Sequence, residues 1–225
     1  MNEPLEPSQG LGVLHLFLKT QNGFDAEALV DAAKRADAAE QQVVPVAMLG
    51  HKADACIMVL GKDWRRLRST QRAIIDSGLT LVDSYVSLTE VSEYAKGIPE
   101  AMLNARLYPQ LPPDDKPAFC FYPMSKRRGE TNNWFAEPFD DREEMMREHG
   151  ASGRKFAGRI LQLITGSTGV DDYEWGVTLF AQRPDDLKEV VYTMRFDRAS
   201  AIYAEFGPFY TGYVVDIEML AAQLR

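Results

Sequence analysis

The sequence holds two cysteines, Cys56 and Cys120, and three histidines, His15, His51 and His149. Two thiols, each inside an apolar run, exclude a disulfide framework and a structural zinc knot, and read as buried thiols in a reducing compartment. Long apolar runs are missing too: no stretch reaches the roughly 18 residues that a membrane span needs. The opening MNEPLEPSQG is acidic and proline-bearing rather than basic and then apolar, which speaks against a signal peptide and makes a cytoplasmic location the expectation. Positive charge is in deficit, with 25 Lys and Arg against 33 Asp and Glu and a net charge of −8. A broad basic face for nucleic acid is therefore not expected, and any anion site must be local. GSTG (166–169) lacks the lysine and strand context of a phosphate loop, there is no G-x-S-x-G elbow, and Cys120 has no evident histidine partner.

What remains is an ordinary globular composition, 45% hydrophobic and 26% charged over 225 residues, enough for one large or two small domains. The rhythm of the first part predicts a strand at 10–19, a helix at 24–40, strands at 43–50 and 55–61, a helix at 62–78 stopped by Gly78, and a strand at 79–91. That β-α-β-β-α-β order is a ferredoxin-like unit. A stretch of weak periodicity, 95–117, reads as a linker. Beyond it the pattern predicts a strand at 118–124, helices at 139–150 and 153–165, a strand at 173–181, a helix at 184–194 and a strand over 199–214 broken near Gly207-Pro208. The expectation is an α+β protein of two ferredoxin-like halves, 1–115 and 116–225, whose sheets pack or join.

Three chemical features stand out. His15 reads as a core residue and His51 as a solvated loop residue. His149 is placed near a predicted helix end before Gly150, where it serves either the helix dipole or a metal that needs one imidazole, as haem iron does. Carboxylate pairs such as Asp171-Asp172 and Glu143-Glu144 read as helix starts and solvated faces. The cations Lys126, Arg127 and Arg128 follow directly on CFYPM, and Arg106, Arg154 and Lys155 lie in other segments. Beside Tyr122 they suit a planar apolar ligand bearing several carboxylates.

The segments FYPMSKRR, NNWF, EEMMREHG, GRKFAG, QLITGS, DDYEWGVTLFA, MRFD, ASAIYAEFG and FYTG, with ARLYPQLP further upstream, resemble the chlorite dismutase superfamily and, within it, the coproheme decarboxylase branch. The likeness is dense over 118–213 and weaker over 10–110. It implies two ferredoxin-like halves in a subunit that assembles as a homopentamer, with the porphyrin in the second half. It further implies hydrogen-peroxide-dependent decarboxylation of two propionates of iron-coproporphyrin III to vinyl groups, giving haem b and CO₂ through a three-propionate intermediate. Coproheme is then both substrate and redox cofactor, and a coproporphyrin ferrochelatase is a possible supplier.

Carried over position by position, the resemblance makes His149 the proximal iron ligand and Tyr122 the residue oxidised to a radical. Lys126 becomes a propionate holder and proton donor, and Arg106 and Ser200 further propionate holders. Pro123, Met124, Ser125 and Gln162 become pocket residues, with Met124 and Gln162 on the distal side. Chlorite-splitting members carry arginine at the place of Gln162, and a neutral amide there argues against chlorite chemistry. Chlorite-splitting or general haem peroxidase activity, or a non-catalytic haem carrier or sensor, are the competing readings. Trp134 and Trp175 read as packing residues.

Overall fold

The computed structural model describes residues 3–95, 97 and 99–225; Met1, Asn2 and linker positions 96 and 98 lie outside the described residues. In the first half, β1 (Gly12–Lys19), α1 (Ala26–Ala38), β2 (Gln42–Leu49), β3 (Ala55–Gly61), α2 (Trp64–Asp76) and β4 (Thr80–Thr89) follow the expected order. Asp25 and Asp63 start the two helices by accepting from backbone N–H groups of their first turns. Gly78 ends α2 with φ of +90°, a conformation that carries little cost only for glycine.

The rest comprises α3 (Glu100–Leu107), β5 (Ala118–Lys126), a 3₁₀ turn (Trp134–Ala136), α4 (Phe139–Arg154), β6 (Ile160–Gly166), β7 (Trp175–Ala181), α5 (Pro184–Met194), α6 (Arg198–Tyr203), β8 (Ala204–Phe206), β9 (Tyr210–Val214) and α7 (Ile217–Gln223). Four expectations are corrected here. The 95–117 linker contains α3. One helix, α4, runs through His149 to Arg154, so the imidazole is not at a helix end and Gly150 is no cap. The segment expected as a helix over 153–165 is the missing strand β6: Ile160, Gln162 and Ile164 alternate with Leu161, Leu163 and Thr165, a period of two between Gly158 and Gly166. The stretch expected as a strand from 199 begins as α6, because the Asp197 side chain accepts from Ser200 N and caps a helical turn.

With β6 restored, each half has the order β-α-β-β-α-β, and the sheets read β4-β1-β3-β2 and β6-β7-β5-β9. They join along two seams. Leu88 and Thr89 pair with Gly166 and Thr165, and Val46 to Leu49 pair with Val214 to Thr211. Every pairing between these strands is antiparallel, and the eight strands close into one barrel, with β8 extending the far end of β5. Gly212 permits the second seam, since a side chain there would overlap the Ala47 carbonyl oxygen.

Residues of both halves fill the barrel, among them Val13, Phe17, Met58, Tyr85, Phe119, Phe121, Leu163 and Phe180. His15 is buried among them; its Nε2 is 2.9 Å from Thr178 Oγ1, and burial lowers its pKa to about 3, so the ring is neutral. The outer face of the first sheet is covered by α1, α2 and α7. On the outer face of the second sheet, Tyr122, Val177 and Leu179 meet Phe156, Leu187 and Val190. This second layer carries the candidate site.

Candidate active site

Strand register defines the floor. Across β5, β7 and β6, one row is Cys120, Leu179 and Gln162, the next Tyr122, Val177 and Ile164, and the third Met124, Trp175 and Gly166. All nine lie on the outer face, because inward positions alternate with them. The Tyr122 ring is buried, stacked on Phe209 at 4.5 Å and edge-on to Phe206 at 5.5 Å, and burial pushes its phenol pKa above the ordinary value. Ile164 is 43% exposed, whereas Cys120, Tyr122, Val177 and Leu179 are buried and the other floor positions half-buried. Pro123 and Ser125 alternate to the opposite face. The Pro123 carbonyl accepts from Gly207 N, and Ser125 Oγ accepts from Glu174 N, so both shape the strand end and neither adds a side chain to the floor.

Helix α4 crosses above. One turn beyond His149, a side chain at Gly153 would stand 3.4 Å from Gln162 Nε2 and 3.7 Å from Met194 Cε. Imidazole, amide and phenol therefore belong to one side of the molecule, and the last turn of α4 closes on β6. His149 Nδ1 donates to Asp197 Oδ2 at 2.9 Å, with Ser200 Oγ 3.3 Å from the same nitrogen. Burial works to raise the Asp197 carboxyl pKa, but the bonds and charge of His149 and the Ser200 N–H outweigh it and hold the group below its usual range. In the neutral ring that keeps its proton on Nδ1, the Nε2 lone pair is free, which is how carboxylate-backed histidines present themselves to metals. Among the described residues no group of three His, Cys, Asp or Glu side chains is placed to hold a metal ion. A lone imidazole suits an iron whose other donors arrive with it.

Lys126 ends the β5 row. Its Nζ donates to Ala199 O at 2.6 Å and lies 4.6 Å from the Trp134 ring centroid, and its backbone N donates to Glu174 Oε2 at 2.8 Å. Burial lowers its pKa to about 8, against the opposing pull of Asp197 and Glu174. The two neighbouring cations have carboxylate partners: Arg128 pairs with Glu174, and Arg127 with Glu205 at 3.3 Å. Of the expected run of three cations, Lys126 is buried, while Arg127 and Arg128 are exposed beside carboxylate partners. Arg106 is exposed on the last turn of α3, whose Leu107 carbonyl accepts from Thr89 Oγ1 at 2.8 Å. A cleft of about 330 Å³ between α4 and α5, lined by Glu148, Ser152, Lys155, Tyr192, Thr193, Phe196 and Asp197, borders the His149–Asp197 pair without reaching Tyr122, Met124 or Gln162.

Asp197, the Ala199 carbonyl and Glu174 were not foreseen as site groups. Asp197 had a signal, an acid preceding ASA as a helix cap. Its bond to a histidine 48 positions away had none.

Residues 22–215 match the family model described as Chlorite dismutase. The chain is 46% identical over 186 residues to a coproheme decarboxylase of Staphylococcus carnosus, covering 78% of this chain and 74% of that one. It is 45% identical over 192 residues to a putative heme-binding protein of Natronomonas pharaonis, where the match takes 78% of this chain and 32% of the relative. A heme-binding protein from Thermus thermophilus superposes with a TM-score of 0.85 at 34% identity, over 100% of this chain and 99% of that one. A mutant chlorite dismutase from Candidatus Nitrospira defluvii superposes with a TM-score of 0.77 over 97% of each chain, and at 16% identity that likeness concerns the fold alone. The joined ferredoxin-like halves and these matches together place the chain in the chlorite dismutase family.

Proposed function

We propose that this protein is a coproheme decarboxylase, converting two propionates of iron-coproporphyrin III to vinyl groups and yielding haem b and CO₂. The observation that carries the reading is the meeting on one side of the barrel of a carboxylate-backed imidazole, a buried phenol and a buried ammonium. The 46% identity to a relative of that name supports it. The donor set fits the tetrapyrrole: Nε2 of His149 for iron, the apolar floor around Val177 and Ile164 for the ring, Lys126 and Arg106 for carboxylates, and Ser200 for a further propionate.

Each step converts a propionate carboxylate, one peroxide and one proton into a vinyl group, CO₂ and two waters. Bound iron-coproporphyrin supplies the redox chemistry with hydrogen peroxide. Tyr122, kept protonated by burial, gives up a proton and an electron together and then takes a hydrogen atom from the propionate. Lys126 meets the carboxylate and holds the proton that the stoichiometry requires, since a pKa near 8 lets it donate and recover near neutrality. Met124 and Gln162 shape the distal side, and a glutamine at 162 offers no fixed charge to a chlorite anion. Residues 116–225 hold the ring, and residues 1–115 complete the barrel beneath it. The protein works in the cytoplasm as a homopentamer, with substrate supplied by a coproporphyrin ferrochelatase; light scattering tests the assembly. Tyr122→Phe should bind iron-coproporphyrin as the wild type does and lose turnover, and normal turnover by this variant would exclude the radical role.

A further inference from the structure

The floor of the site has one acidic corner. Glu90 directly follows β4, and its Oε1 accepts from Trp175 Nε1 at 3.2 Å. Its carboxyl group lies so close over Gly166 that any side chain at 166 would overlap it. Gly166 and Trp175 form the end row of the floor with Met124, so the carboxyl group covers the β6 corner of the surface assigned to the tetrapyrrole. The side chain is exposed and, among the described residues, its polar partner is a neutral indole rather than a cation. Elsewhere on the floor rim Lys126 ends the β5 row, and the nearby Glu174 is tied to the Lys126 backbone N and paired with Arg128. Arg106 stands on α3, whose next residue, Leu107, accepts through its carbonyl from Oγ1 of Thr89, the residue before Glu90.

A negative group on the rim of a site for a tetracarboxylate is repulsive by construction, and repulsion is how a site rejects the wrong pose. The four meso edges of coproporphyrin III are not equivalent. One is flanked by two propionates, two by a propionate and a methyl, and one by two methyls. Only the dimethyl edge can lie at an acidic corner without setting carboxylate against carboxylate. We propose that Glu90 is a specificity-determining residue, whose carboxylate, seated on Gly166 and held by Trp175, turns the dimethyl edge of the substrate toward β6 and so fixes which propionate meets Tyr122. The inference rests on the proposed coproheme reaction.

Iron-coproporphyrin I is the probe that isolates this effect. It has the same mass and charge, but every edge carries one propionate and one methyl. Wild type, Glu90→Gln and Glu90→Ala are titrated with the iron complexes of isomers III and I, following the Soret band. Wild type should prefer isomer III by about two- to five-fold, the worth of one exposed charge contact. Both variants should bring the ratio to one, chiefly by tightening isomer I, and high salt should do the same to wild type. Under limiting peroxide the variants should also spread the three-propionate intermediate over more than one positional isomer. A change in packing alone would shift both affinities together and leave the ratio intact. If wild type binds neither ring, the proposed function fails. If it binds both equally, or the variants keep the preference, the assignment of Glu90 fails and the proposed function stands.

Discussion

Asp197→Asn separates the charge behind the imidazole from its geometry. The side chain is 1% exposed, accepts from His149 Nδ1 at 2.9 Å, and accepts from Ser200 N at 2.9 Å as the cap of α6. Asparagine is as good a cap and nearly the same shape, so α6 should persist and the apo protein should keep its circular dichroism. What changes is the acceptor: a neutral amide oxygen leaves the imidazole less basic at Nε2. Losing such a partner behind a metal ligand costs about 10–100-fold in metal affinity, or roughly 1.4–2.7 kcal/mol. Lys126 also loses one of the two carboxylates that oppose its burial, so its pKa should fall further below the ordinary value. The assay is a Soret titration with iron-coproporphyrin beside resonance Raman of the iron–histidine stretch. Weaker binding and a lower stretching frequency are expected. An unchanged affinity together with an unchanged stretch would refute the assignment of His149 as a ligand backed by Asp197.

Two further perturbations probe the ammonium and the seam. For Lys126, the folded pKa near 8 lies below the ordinary 10.5, so the unfolded chain binds more protons between those limits. Stability should therefore rise with pH across that window, by at most roughly 3 kcal/mol, and Lys126→Met should flatten the rise in denaturant titrations. Turnover should fall as pH passes about 8 in wild type if the protonated amine is the working form. Gly212→Ala places a methyl against the Ala47 carbonyl at the β2–β9 seam. It should destabilise by about 1–3 kcal/mol in thermal unfolding, and a neutral result would mean that the seam yields at little cost.

Much of this arrangement was legible in the residues, and what was not had physical causes. The first half could be read because its strands are short apolar runs and its helices carry Asp caps and a glycine stop, all local signals. The error over 153–165 arose where GRKFAG, which closes α4, runs directly into ILQLIT. The apolar residues of the latter fit a helical stripe as well as a strand buried on one side and partly open on the other, and only pairing with β7 decides between them. Ile164 is open on the sheet face, which blurs the burial pattern that would mark a strand. Barrel closure could not be read, since it rests on two short seams between residues far apart in sequence. Of the candidate site, Tyr122, Met124, Lys126, His149, Gln162 and Ser200 are legible only by their match to a family pattern. The Asp197 contact to His149 and the seat of Glu90 on Gly166 required the fold. Arg127 and Arg128 show the reverse: a cation run looks like a ligand site until Glu205 and Glu174 are found against it.

The most direct test of the account is mass spectrometry of the porphyrin as hydrogen peroxide is titrated into the protein loaded with iron-coproporphyrin III. The account predicts two successive losses, each of one carboxyl group as CO₂ with two hydrogens, through a three-propionate species to haem b. Bleaching without decarboxylation, or a ring that keeps all four propionates while peroxide is consumed, would contradict it.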